Sequence, residues 1–164
     1  MRAIVREHFF KFFLVWIGLF LPWGCSKTYI PNTDVRDTPV NRKVISFCEE
    51  YRHAVEQKNI AQLLKMASPM YHQRGGNLVQ SNDVDYNSLK GYLTDIFGQT
   101  KGIRYEIRYR RIAFNERNTV YVDYTYAASY KIPGLEGEEW KHTVADNRLV
   151  LTKEGETFKI LSGM

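Results

Sequence analysis

The sequence predicts an α+β domain behind an export signal, and three observations carry the fold class. Apolar residues recur at helical spacing in three stretches before residue 98. The period changes from 3.6 to 2 after residue 102, and turn-forming residues cut the alternating part into successive hairpins. Helices gathered in one half and hairpins in the other give three helices packed on one face of a curved antiparallel sheet.

The first helix starts at Thr38-Pro39, an N-cap followed by proline in the first turn. Val44, Phe47, Cys48, Tyr51, Ala54 and Val55 form its apolar face, with Arg42, Lys43, Glu49, Glu50, Arg52 and Glu56 opposite. Cys48 reads there as a small buried hydrophobe. Asn59 with Gln62 opens a second, short helix bearing Leu63, Leu64 and Ala67, which Ser68-Pro69 ends. Met70-Tyr71-His72 reads as a short strand, and Gln73 to Asp85 as a polar loop. Asp85 caps a third helix from about Tyr86 to Phe97, with Leu89, Tyr92, Leu93, Ile96 and Phe97 as its stripe.

Ile103, Tyr105, Ile107 and Tyr109 then alternate with Arg104, Glu106, Arg108 and Arg110. After the turn Asn115-Glu116-Arg117-Asn118, Val120, Val122, Tyr124, Tyr126, Ala128 and Tyr130 alternate with Tyr121, Asp123, Thr125, Ala127 and Ser129. A loop around Pro133-Gly134 and Gly137 leads to a strand from roughly Trp140 to Thr152. A tight turn at Lys153-Glu154-Gly155-Glu156 precedes a last strand, Thr157 to Ser162.

The N-terminus has a different character. Arg2, Arg6 and Lys11 precede an uncharged run from Phe12 to Leu21, which is how a secretory signal reads and is short for a spanning helix. Gly24-Cys25-Ser26 after that run resembles a bacterial lipoprotein signal, although Pro22 and Trp23 depart from the usual pattern. The resemblance implies a signal peptide over residues 1–24, lipid on Cys25 and outer-membrane anchoring facing the periplasm; an uncleaved anchor is the alternative. Residues 25–38 are polar and read as a tether, leaving 39–164 as the domain.

The chain has 23 Lys+Arg and 18 Asp+Glu. Residues 1–24 hold three basic residues and one acid, so the remainder carries 20 against 17, a net charge of +3. That balance argues for neither nucleic acid nor an acidic substrate. If Cys25 carries lipid, Cys48 has no disulfide partner. No His-x-x-x-His helix, Cys-x-x-Cys, nucleophile elbow or phosphate loop occurs, so neither a metal nor another cofactor is expected.

The order of elements, with Tyr51-Arg52-His53-Ala54-Val55-Glu56, Asn59-Ile60-Ala61-Gln62-Leu63-Leu64 and Phe158-Lys159-Ile160-Leu161-Ser162-Gly163, resembles the nuclear transport factor 2-like domains over about residues 40–164. That superfamily includes SnoaL-like cyclases and ketosteroid isomerases, together with small lipoproteins of no assigned activity. The resemblance implies a cone, cystatin-like in build, whose sheet curls around a pocket. Tyr105, Tyr109, Tyr124 and Tyr126 are the candidates for its lining, and core packing explains them equally.

Enzymes of that kind use a carboxylate or a His-Asp pair inside the cone. Asp123 alternates with Val122 and Tyr124, so it points away if they point in, toward a cross-strand arginine such as Arg104, Arg108 or Arg110. His142 and Asp146 lie four apart on one strand face and form either a base with its orienter or two solvated residues; Trp140 shares their parity. His53 falls among charges and His72 borders a loop. Three readings follow: a non-catalytic membrane-tethered domain binding a small apolar ligand or a protein, an isomerase, dehydratase or cyclase, and a structural protein that dimerises through its arginine-bearing sheet face.

Overall fold

The computed structural model describes residues 28–75, 83–134 and 137–164. The expected signal peptide and Cys25 lie outside the described residues. In chain order the elements are α1 (Pro39–Glu56), α2 (Ile60–Met66), β1 (His72–Gln73), β2 (Val84–Asp85), α3 (Tyr86–Gln99), β3 (Lys101–Phe114), β4 (Thr119–Gly134), β5 (Gly137–Glu154) and β6 (Thr157–Ser162). The fold is α+β, with the three helices packed on a four-stranded antiparallel sheet in the order β3-β4-β5-β6.

Each helix begins where a side chain satisfies a free backbone N–H. Thr38 Oγ1 accepts from the Asn41 N–H and Asn59 Oδ1 from the Gln62 N–H. Asp85 and Ser88 satisfy each other's backbone N–H groups in a capping box. Helix α1 buries Val44, Phe47, Cys48, Tyr51 and Ala54 as its spacing predicts. Helix α3 buries only Leu89 and Leu93, leaving Tyr92 and Ile96 exposed, because little of the fold lies over the outer half of the expected stripe. The chain after α2 is tied into the sheet: the Ser68 N–H donates to the Ile160 carbonyl at 2.8 Å, and Ala67 bridges Ile160.

Three local features depart from the sequence reading. Val84–Asp85 pairs with His72–Gln73 as a second small ladder inside the stretch expected as loop. Strand β3 shifts register between Tyr109 and Arg111, so Arg110 and Arg111 both stay outside while Ile112 returns to the inner face opposite Val122. Residues 28–38, expected as tether, fold as a hook. Tyr29 bridges Arg36, Val35 is only 3% exposed, and the Asp34 N–H donates to the Tyr109 carbonyl at 3.0 Å. The folded unit therefore already includes Thr28.

The core lies between helices and sheet. Val44, Leu63, Leu89, Val122, Leu149, Leu151 and Ile160 reach 0–1% exposure. At Gly163 (φ +101°) an added Cβ would sit 2.1 Å from the Arg148 carbonyl oxygen, so only glycine lets the chain's end close against β5.

Candidate functional site

The sheet offers two chemically different faces. On the inner face Tyr109 stands opposite Tyr124, and Ile107 opposite Tyr126. With Tyr105 and with Tyr51 from α1 they make a packed aromatic cluster. Ring centroids are 6.4 Å apart for Tyr51–Tyr105, 5.5 Å for Tyr105–Tyr126 and 6.4 Å for Tyr124–Tyr126. Tyr51, Tyr105, Tyr109 and Tyr124 are 1–8% exposed, so protein surrounds them on all sides, and Tyr126 is half-buried. All four residues singled out on the strands thus face inward together.

Burial pushes Tyr51, Tyr105, Tyr109 and Tyr124 above the usual phenol range, and neighbouring tyrosines add to the shift at Tyr51 and Tyr124. Tyr109 donates to Glu49 Oε1 at 2.7 Å, while Glu49 Oε2 accepts from Arg52 Nε at 2.8 Å. Asn147 Nδ2 donates to the Tyr124 hydroxyl at 3.0 Å and to the Gly163 carbonyl at 3.1 Å. Glu49 and Asn147, which the sequence reading did not single out, are therefore the polar contacts of the cluster.

A general base inside the cone requires a buried carboxylate or imidazole within reach of a substrate proton. Among the described residues the buried polar side chains reduce to Ser68. Residues 76–82 carry no Asp, Glu or His in sequence. Burial also drives the Cys48 thiol well above its ordinary range, which makes it inert as a nucleophile.

The candidate catalytic residues all lie on the outer face. Asp123 Oδ1 accepts from Arg148 Nε at 2.5 Å. The partner expected for it was Arg104, Arg108 or Arg110. Arg148 takes that place because it stands directly opposite on β5, while Arg108 and Arg110 turn to Asp34 at 3.0 Å each. Those two guanidiniums hold the Asp34 carboxyl below the usual range. His142 and Asp146 share the face without bonding each other: His142 Nδ1 lies 2.9 Å from Ser129 Oγ, and Asp146 Oδ1 accepts from Thr125 Oγ1 at 2.6 Å. Arg110, Asp123, Thr125, Asp146, Asn147 and Arg148 line a shallow open groove of about 650 Å³. His53 is exposed on α1, and His72 Nε2 lies 3.5 Å from Asp83. Groups of three or more His, Cys, Asp or Glu able to hold a metal are absent among the described residues.

No protein-family profile and no curated protein matches the sequence. Solved structures match the fold. A proposed dehydratase of the nuclear transport factor 2-like family from Streptomyces avermitilis superposes with TM-score 0.63 at 11% identity, over 75% of this chain and 92% of its own. A proposed scytalone dehydratase from Novosphingobium aromaticivorans gives 0.61 at 11% identity, over 76% and 80%. A proposed calcium/calmodulin dependent protein kinase II association domain from Xanthomonas campestris gives 0.58 at 14% identity, over 82% and 94%. The chain therefore has the nuclear transport factor 2-like fold. At these identities the likeness speaks for the fold alone.

Proposed function

We propose that this is an exported, envelope-anchored, non-catalytic domain that binds a protein partner through the open face of its sheet. The absence of a buried Asp, Glu or His among the described residues carries the reading. Two of the structural neighbours are described as dehydratases, but their fold alone does not transfer that chemistry, and Asp123, His142 and Asp146 lie on the outer face with cross-strand partners. The neighbour described as an association domain is the more useful analogy. A small apolar ligand finds less support, because the tyrosines that would line its pocket are packed by protein.

The anchor rests on the basic head, the short apolar run and Cys25, which lies three residues before Thr28. The Asp37 N–H donates to the Thr28 carbonyl at 2.8 Å, which puts Thr28 near the start of α1. Three residues span about 10 Å at most, which would hold that end of the domain close to the membrane. Growth of cells with an alkyne fatty acid tests the anchor: the intact chain takes up label and Cys25→Ala does not. Equal labelling of both, or labelling of neither, removes lipid anchoring.

A further inference from the structure

The two edges of the sheet are treated differently. Strand β3 is covered: the hook takes the Tyr109 carbonyl, and the Tyr105 N–H donates to Glu56 Oε1 at 3.0 Å. On the far side β6 pairs with β5 only from Val150 to Glu154. The chain's end then closes against Arg148 and Leu149 through Gly163. From Gly137 to Asn147 the outer edge of β5 has no strand against it among the described residues. Nearly every residue of that stretch is exposed, with Trp140 at 62% and Val144 at 60%. A long free edge carrying exposed apolar side chains is a template for strand addition, and this one contains neither proline nor a bulge.

The side chains along this edge indicate which strand fits it. In an antiparallel pair of identical strands with Val144 opposite Val144, the free edge from Lys141 to Asn147 pairs throughout: His142 faces Asp146, Thr143 faces Ala145 and Lys141 faces Asn147. No like charges meet, and the exposed valines cover each other at the centre. Moving the centre to His142 sets Glu138 against Asp146; moving it to Ala145 leaves only Thr143 to Asn147 of the free edge paired. Lys141, the edge cation that would resist pairing, already bonds Glu139 at 3.0 Å.

We infer that two copies of this chain join by their β5 edges, antiparallel about Val144, into one eight-stranded sheet. The inference goes beyond the protein-binding reading above, since it concerns the edge of the sheet and leaves the open face free, and it is independent of the anchor. Its outer face would carry the Asp123–Arg148 and Thr125–Asp146 rows of both copies on one continuous surface.

The test uses the full chain. Opposite Cα atoms in an antiparallel pair are about 4.5–5.5 Å apart, within disulfide reach. Val144→Cys therefore gives a covalent dimer on mild oxidation. Ala127→Cys, one strand further in on the outer face, does not, and neither does the unaltered chain, which controls for Cys25. Val144→Lys weakens the dimer by at least about tenfold in native mass spectrometry, since it sets two cations face to face. His142→Asp weakens it as well, and adding Asp146→His restores it. A monomeric parent at tens of micromolar, a dimer indifferent to Val144→Lys, or cross-linking through Ala127 in place of Val144 overturns the proposal. Each of these outcomes leaves the fatty-acid labelling unchanged, so failure here is separable from failure of the anchor.

Discussion

Asp123 and Tyr124 are adjacent in sequence, and they separate the two kinds of residue in this protein. Tyr124 is 1% exposed and packs against Tyr126, while Asp123 reaches outward to Arg148. Removing the Tyr124 ring leaves a cavity, so Tyr124→Ala costs roughly 3–5 kcal/mol, read as a lowered denaturant midpoint. Asp123→Asn breaks one solvent-facing pair and shifts the same midpoint by at most about 1 kcal/mol. A loss from Asp123→Asn comparable to that from Tyr124→Ala would mean that Asp123 is buried in solution. The alternation of β4 made this orientation legible in sequence. The partner was not legible, because strand register across a hairpin depends on turn geometry rather than on the residues being paired. Glu49 escaped notice for a related reason: on the helix it counted as one of the polar residues opposite the apolar stripe, and only the approach of β3 brings Tyr109 to it.

At the scale of elements, the caps at Thr38, Asn59 and Asp85 and the final strand could be read directly, since each rests on contacts a few residues apart. The hook could not. Its composition is that of a linker, and Val35 is its one fully buried apolar residue, with Ile30 packed half-buried against the core. The β3 bulge was equally hidden, because two consecutive arginines satisfy either parity until Ile112 must find the core. The hook's weight is testable. Val35→Ala lowers stability by roughly 1–2 kcal/mol, measured by thermal or denaturant unfolding. Hydrogen exchange at the Asp34 amide should rise with it, because that N–H is bonded to Tyr109 only while the hook is docked. An unchanged exchange rate at Asp34 would show that the hook stays in place without Val35.

At the scale of the whole molecule, several surface carboxylates respond to acid in one direction. Hydrogen bonds from Arg108 and Arg110 lower Asp34, one from Arg42 lowers Asp37, and lysines lower Glu138 and Glu156. A carboxylate whose folded pKa is depressed stabilises the fold above its unfolded value, and that contribution disappears as pH falls through the folded value. Stability should therefore be level above about pH 5 and decline below about pH 4, less steeply at high salt because these groups lie at the surface. A decline that begins near pH 6.5 would point to a histidine instead. The fold class was legible at this scale because it depends on the change of hydrophobic period near residue 100, whereas the filled interior was not, since tyrosines at inward positions serve a pocket or a core equally well.

The packed interior is the central claim, and xenon tests it most directly, because the gas enters apolar cavities too small or too dry for ordered water. In crystals of the intact protein held under xenon pressure, the space bounded by Tyr51, Tyr105, Tyr109 and Tyr124 should stay empty of the gas, and in Tyr124→Ala it should fill. A xenon site among those four rings in the unaltered protein would contradict the account and return the inner face to the status of a binding pocket.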